Sequence, residues 1–326
     1  MVNFENVSKY GLNDVCIHVP KGEIVGLIGA SGAGKTTMIK LACGLLKPDK
    51  GRVYTLGKDP FLNRKLYNRK VCPPPLRRRF PYLRSAEVQA PAEGKALKNV
   101  VSTFITGTPL LCREDTVVQG FELIRNMYGI SKTDFARRYK ELSKRLDFGR
   151  CEHQPVKNLS LGQRMRAELG AALIYEPELL LLDEPNVGLD ENGKAVLCEL
   201  LTEHCKNGMS VLMTSHDMAG VSRMCGRIAL LDGGRLIFYG SENNLRSRYA
   251  PIDIMTLKFS GNIPDFEDLP LKKYSVQGNT ITLSYNSNHI TSAEILKLIL
   301  AQTSVLEVGI RKPNLESIIS QLKSEG

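Results

Sequence analysis

Apolar and polar residues alternate over Val15–Val19 and then, past a Lys-Gly-Glu turn at 21–23, give way to the unbroken apolar run Ile24-Val25-Gly26-Leu27-Ile28. Alternation marks a strand with one wet face, whereas an unbroken short run marks a strand covered on both. A glycine-rich loop follows, and a helix is predicted over Lys35–Leu46, with Gly44 and Pro48 punctuating its end. From Asp115 to Leu146 the apolar positions (Val118, Phe121, Leu123, Ile124, Met127, then Phe135, Tyr139, Leu142, Leu146) recur at helical spacing. Gly129 breaks that pattern and Ser131 caps a second helix. Further helices are predicted over Leu159–Tyr175 and Gly193–Cys205, with buried strands at Leu179–Leu182, Ser210–Thr214 and Ile228–Leu231.

Strands that alternate with helices in this way predict an α/β fold with a mostly parallel sheet. After Tyr249 the style changes. Ile252–Phe259, Thr280–Tyr285 and Val305–Ile310 read as strands, and Ser292–Gln302 and Asn314–Leu322 as helices. The chain is therefore expected to divide into a large domain over 1–248, with a helical subdomain at about 110–165, and a small α+β domain over 249–326. Residues 71–98 fit neither period. They carry five prolines and the triplet Arg77-Arg78-Arg79, and read as an irregular basic insertion.

At 326 residues and 42% apolar content, the chain is long enough for about two domains and rich enough to fill their cores. No apolar run approaches the roughly 18–20 residues that cross a bilayer. The opening MVNFENVSKYG also lacks the shape of a signal peptide, so the protein is expected on the cytoplasmic side. Eight cysteines stand without metal-ligand spacing and read as reduced, mostly buried thiols. The net charge of +10 could invite nucleic acid or an anionic membrane, but it is local. Ten of the basic residues fall between Arg64 and Lys98 against only Glu87 and Glu93, and the remainder of the chain is nearly balanced. The insertion is expected to be a solvated loop; contact with lipid or a partner is the next reading, and no nucleic-acid partner is expected.

Gly29-Ala30-Ser31-Gly32-Ala33-Gly34-Lys35-Thr36-Thr37 fits the phosphate-binding pattern G-x-x-x-x-G-K-[ST], and it lies where that chemistry needs it, between a buried strand and a helix. Glycines let the backbone wrap a triphosphate, successive amides point at the phosphates, and the helix N-terminus adds positive potential. Lys35 is expected on the β- and γ-phosphates and the Thr36 hydroxyl on Mg²⁺. Leu179–Leu182 runs into Asp183 and Glu184. Alone, a strand ending in two carboxylates is an ordinary solvated edge. Downstream of a phosphate loop, Asp183 reads as a Mg²⁺ ligand and Glu184 as the group that orients or deprotonates the attacking water.

In these motifs and their order, residues 1 to about 248 resemble the ATPase subunits of ABC transporters. Leu159-Ser160-Leu161-Gly162-Gln163 is similar to the family signature L-S-G-G-Q, Asn186–Asp190 to its D-loop, and Thr214-Ser215-His216-Asp217 to the segment with its switch histidine. Tyr10 matches the aromatic residue that stacks on adenine. The resemblance implies a P-loop NTPase fold with an antiparallel β part beside the parallel core. It also implies ATP and Mg²⁺ as ligands, a head-to-tail homodimer in which Ser160, Gly162 and Gln163 meet the nucleotide of the opposite copy, and a His216 that senses the γ-phosphate. Each match also has a plain structural reading: Ser160 as an ordinary helix cap, His216 as a structural histidine, Tyr10 as a half-buried tyrosine.

Leu161 replaces the first signature glycine, a variant associated with ATPases that serve ABC-2-type membrane permeases, and this favours export. The tail Lys312–Ile319 resembles the closing helix of such ATPases. Gly226 stands where the family usually has Asp. No glutamine stands at the Q-loop; Gly107 or Thr108 takes its place, with Gln89 and Gln119 as weaker candidates. The expectation is thus an ATP-hydrolysing subunit on the cytoplasmic face, energising a separate permease. A soluble ABC ATPase acting on ribosomes or DNA, or a weakly hydrolysing regulatory module, stays open at this level.

Overall fold

The computed structural model describes residues 1–63, 101–105, 109–249, 252–260, 269–312 and 318. The chain folds as two compact units, Met1–Tyr239 and Gly240–Gly326. The basic insertion lies outside the described residues.

In the first unit β1 (Val2–Lys9), β2 (Leu12–Val19) and β4 (Lys50–Thr55) form an antiparallel sheet in the order β2-β1-β4. The hairpin between β1 and β2 turns at Tyr10, whose φ is +52°. The second sheet has six strands in the order β5-β6-β7-β3-β8-β9. Its strands are β3 (Ile24–Gly29), β5 (Val101–Phe104), β6 (Leu179–Asp183), β7 (Ser210–Thr214), β8 (Arg227–Asp232) and β9 (Arg235–Gly240). From β5 through β8 the neighbours run parallel. Every residue of β3, β6 and β7 is buried, as their unbroken apolar runs require. Helix α1 (Lys35–Ala42) contributes Met38, Ile39 and Leu41 to a core shared with Val2, Phe4 and Ile17 of the antiparallel sheet and Leu27, Leu181 and Leu212 of the parallel one.

Among the described residues this unit also holds the helices α2 (Val117–Tyr128), α3 (Lys132–Arg145), α4 (Leu161–Leu173), α5 (Glu191–Lys206) and α6 (Met218–Met224). Phe121 of α2 packs edge-on to Tyr139 of α3, with ring centres 5.0 Å apart, and stacks on Phe148 at 5.2 Å. A Cβ on Gly170 of α4 would sit 2.7 Å from the Phe148 ring, so the aromatic cluster closes on α4 only because that position is bare.

Several predicted boundaries move, each for a local reason. Helix α1 stops at Ala42 rather than Leu46, because Gly44 turns the chain at φ +72° with its Cα against the Pro60 carbonyl. Helix α4 starts at Leu161 rather than Leu159, because Ser160 is extended and caps it. Helix α5 starts at Glu191 rather than Gly193, because the Asp190 carboxylate accepts the Gly193 amide as N-cap. The stretch expected to hold the Q-loop begins inside strand β5, with Thr103 and Phe104 paired to Leu181 and Leu182.

In the second unit α7 (Glu242–Tyr249) precedes an antiparallel sheet in the order β11-β12-β10-β13, made of β10 (Ile252–Phe259), β11 (Leu271–Gln277), β12 (Thr280–Asn286) and β13 (Val305–Arg311). Helix α8 (Ser292–Leu300) covers one face. Ile295 and Ile299 pack with Met255, Leu257, Ile281, Leu283 and Tyr285. Apart from Ile318, which is buried and helical, the closing helix expected over Asn314–Leu322 lies outside the described residues.

Leu181 is fully buried in the centre of β6. Leu181→Ala is expected to cost about 2–5 kcal/mol, to be read as a lowered urea midpoint for the unfolding of the first unit.

Candidate functional site

The strand order decides which chain ends meet. Strand β7 lies between β3 and β6, so the C-terminal ends of all three strands stand side by side at one edge of the parallel sheet. That edge is where open α/β sheets gather ligands. Thr214 is the middle member of a row, paired with Leu27 on one side and with Asp183 on the other.

At the end of β3 a Cβ on Gly29 would lie 2.4 Å from the Leu231 carbonyl, so glycine is what lets β8 close against the strand here. Gly32 and Gly34 carry the loop through φ +81° and +97°, and the space above the Gly32 Cα is open. Gly34 caps α1 without a side chain, so no N-cap side chain takes up the first-turn amides. The Lys35 ammonium bends back over the loop and donates to the carbonyls of Gly29 (2.8 Å) and Ala30 (3.0 Å). A cation held over a ring of amides is a receptor for a polyphosphate.

The Thr36 hydroxyl lies 3.0 Å from both carboxylate oxygens of the buried Asp183. The Thr214 hydroxyl donates to Asp183 Oδ1 at 2.7 Å and accepts the Glu184 amide at 2.8 Å. Glu184 itself is left-handed, with φ +53°, a conformation that costs a non-glycine residue about 1–3 kcal/mol. Its carboxylate meets His216 Nδ1 at 2.8 Å, and the His216 side chain is mostly exposed. Ser215 donates its amide to the Leu27 carbonyl, and its hydroxyl accepts the Asp217 amide, fixing the His216 turn to the end of β3. The Asn186 amide then ties the D-loop to Asp217 at 3.4 Å.

Lys35, Thr36, Asp183, Glu184 and His216 are thus brought to one edge, within one hydrogen-bonded set apart from Lys35. A hydroxyl and a carboxylate are hard oxygen donors suited to Mg²⁺. Among the described residues no group of three His, Cys, Asp or Glu side chains gathers into a metal cage. Thr36 and Asp183 together offer one hydroxyl and one carboxylate side by side. Tyr10 is 75% exposed rather than half-buried, with Lys9 Nζ 4.9 Å from its ring centre. Two residues on, Leu12 touches Gly34, so the hairpin abuts the phosphate loop.

The signature residues lie elsewhere. Ser160 caps α4 in a reciprocal box with Gln163: the Ser160 hydroxyl accepts the Gln163 amide, and Gln163 Oε1 accepts the Ser160 amide at 3.0 Å. A Cβ on Gly162 would lie 2.9 Å from the Gly188 carbonyl, so the D-loop packs on the first turn of α4. Arg166 of α4 pairs with Asp190 at 2.6 Å. The Gly193 amide and then Arg166 hold the Asp190 carboxyl below its ordinary range. Among the described residues no hydrogen bond or ion pair joins Ser160, Gly162 or Gln163 to the phosphate loop of the same chain. Gln119 is spent on a cap, its Oε1 accepting the Thr116 amide; Gln89, Gly107 and Thr108 lie outside the described residues. Sequence reasoning missed Thr214 as a site residue, since only the strand order places its hydroxyl between Asp183 and Glu184.

Residues 12–187 match the family model described as ABC transporter. The chain is 29% identical to the Nod factor export ATP-binding protein I of Sinorhizobium fredii, over 98% of this chain and 85% of that protein. It is 32% identical to the methionine import ATP-binding protein MetN of Clostridium acetobutylicum, over 75% of this chain and 70% of that protein. Among solved structures, an ATP-binding subunit of an ABC transporter superposes with a TM-score of 0.62 at 26% identity, covering 76% of this chain and 92% of the other.

Thr214→Val keeps the shape and removes the hydroxyl. It is expected to cost about 1–3 kcal/mol of stability, because it leaves the Glu184 amide unpaired. It should also lower kcat for ATP hydrolysis at nearly unchanged MgATP affinity. Denaturant titration and steady-state phosphate release check the two parts.

Proposed function

The chain belongs to the ABC transporter family, and from that premise we propose that it is the ATP-binding, ATP-hydrolysing subunit of an exporter, paired with a second copy of itself and seated on an ABC-2-type permease at the cytoplasmic face of the membrane. Among the described residues no helix is long and apolar enough to cross a bilayer, so a membrane path would come from a partner.

The observation that carries the reading is the hydrogen-bonded set Thr36–Asp183–Thr214–Glu184–His216 beside a glycine loop with a lysine folded over it. Amides of Ala30–Lys35 bind the phosphates, Lys35 leaves its carbonyl partners for the β- and γ-phosphate oxygens, and Tyr10 offers its exposed ring to the adenine. Thr36 and Asp183 would hold Mg²⁺, whose charge offsets that of the phosphates. Glu184 orients the attacking water and takes up its proton. His216 holds the Glu184 carboxylate in place with Nδ1, and its exposed ring is free to meet the γ-phosphate. Ser160, Gly162 and Gln163 present the N-terminus of α4, and among the described residues no hydrogen bond or ion pair ties them to the phosphate loop of their own chain. They serve the nucleotide on the opposite copy.

ATP then favours the closed pair because it adds contacts to both copies, and hydrolysis removes them. A ligand shifts an equilibrium only by such differential binding. Export, and an accessory role for the C-terminal unit, are supported by likeness to the Nod factor export protein, which takes in the tail; likeness to the methionine import protein covers less of the chain.

Glu184→Gln is expected to keep MgATP binding and ATP-dependent pairing while kcat falls about 10²–10⁴-fold. Phosphate release and light scattering on a size-exclusion column measure these, and near-normal hydrolysis would sink the role given to Glu184. The same variant, tagged and pulled down with MgATP from detergent-solubilised cells, should bring a polytopic membrane protein with it.

A further inference from the structure

Glu168 lies eight residues beyond Ser160 on α4 and is only 4% exposed. A carboxylate so deeply buried needs partners, and Glu168 has two backbone amides. The Leu110 amide donates to Oε2 at 2.6 Å and the Leu111 amide to Oε1 at 3.2 Å. Both oxygens are thereby committed to consecutive residues of the chain that leaves β5 and enters α2. Burial pushes the Glu168 carboxyl up to about 7, with the two amides and then Arg164 drawing it back down.

A second, independent anchor ties the far end of α4 to β5 itself. The Tyr175 hydroxyl donates to Ser102 Oγ at 2.6 Å, both groups being buried, and the Tyr175 ring stacks on Tyr128 of α2 at 4.0 Å. Leu111 in turn fills the space over Gly120 of α2, where a Cβ would lie 2.7 Å from Leu111 Cδ2. The helix capped by Ser160 is thus bolted to the β5–α2 chain at two depths, one of them through Glu168.

We propose that Glu168 is a positioning residue for ATP hydrolysis: its carboxylate clamps Leu110 and Leu111 to α4, fixing the axial register of that helix and so the place at which Ser160 and Gly162 are presented to the nucleotide of the opposite copy. This rests on the paired-site reading above. Nucleotide capture by Lys35, Thr36 and the loop amides does not pass through α4, so binding and turnover should separate.

Glu168→Gln keeps the size but replaces one acceptor oxygen by an NH₂ group that cannot receive an amide. The expected result is MgATP affinity within about twofold of wild type and a fall of about tenfold in kcat, of the order of one lost hydrogen bond. A kcat per folded molecule equal to that of wild type, with only a lowered melting temperature, would overturn the proposal by reducing Glu168 to packing. If the variant does not fold, the wild type decides through amide hydrogen exchange. Peptides covering 109–115 and 161–170 should gain protection together when a non-hydrolysable ATP analogue and Mg²⁺ are added, and protection of one without the other overturns the clamp. Wild-type protein that hydrolyses no ATP at all would instead fail the underlying functional reading, and the two failures are therefore distinct.

Discussion

Thr214 has Asp183 opposite it on β6 and Leu27 opposite it on β3, and its buried hydroxyl must make all its hydrogen bonds within the protein. It gives its proton to Asp183 and takes the amide of Glu184, so one side chain on the intervening strand sets both carboxylates of the neighbouring one. The geometry of the edge depends on this. Asp183 is held toward Thr36, Glu184 is turned out of the line of β6 toward His216, and the His216 turn is fastened back to β3 through Ser215. In a low-dielectric setting such a connected set holds its members at fixed separations without waiting for a ligand to arrange them.

The second half of the machinery follows a different rule. Helix α4 is placed by contacts along its whole length: Gly162 against Gly188, Arg166 against Asp190, Glu168 against Leu110 and Leu111, and Gly170 beneath Phe148. Two of these are glycines that allow close approach, and two are charged groups given backbone or ionic partners. Asp190 also caps α5. The segment Asn186–Asp190 is therefore shared between the end of β6 and the first turns of α4, and a shift of one is felt by the other.

Local rules make much of this legible in the sequence. The buried strands at 24–28, 179–182 and 210–214 announce themselves as apolar runs, and the phosphate loop by glycines whose φ values no other residue would adopt cheaply. The helix starts at Ser131 and Ser160 follow from the chemistry of capping. What escaped depends on long-range pairing. Strand β5 is four residues at the sheet edge with no period to betray it, and its place follows only from Val101 lying beside Leu179. Thr214 belongs to a motif visible in the sequence, yet its task follows from a strand order that skips from β6 to β7 to β3. Nothing local marks Glu168, whose amide partners lie 57 and 58 residues away.

The left-handed backbone at Glu184 has a genetic corollary. Among the twenty side chains glycine accepts this conformation at no cost, and asparagine or aspartate at less cost than glutamate. A lineage selected for folding alone would drift toward those residues, and both glutamate codons become glycine codons by a single base change. On the role proposed for Glu184, loss of turnover and gain in backbone ease lie one mutation apart at this position. Codon 184 is thus a point where the demand of folding and the demand of the proposed activity pull apart.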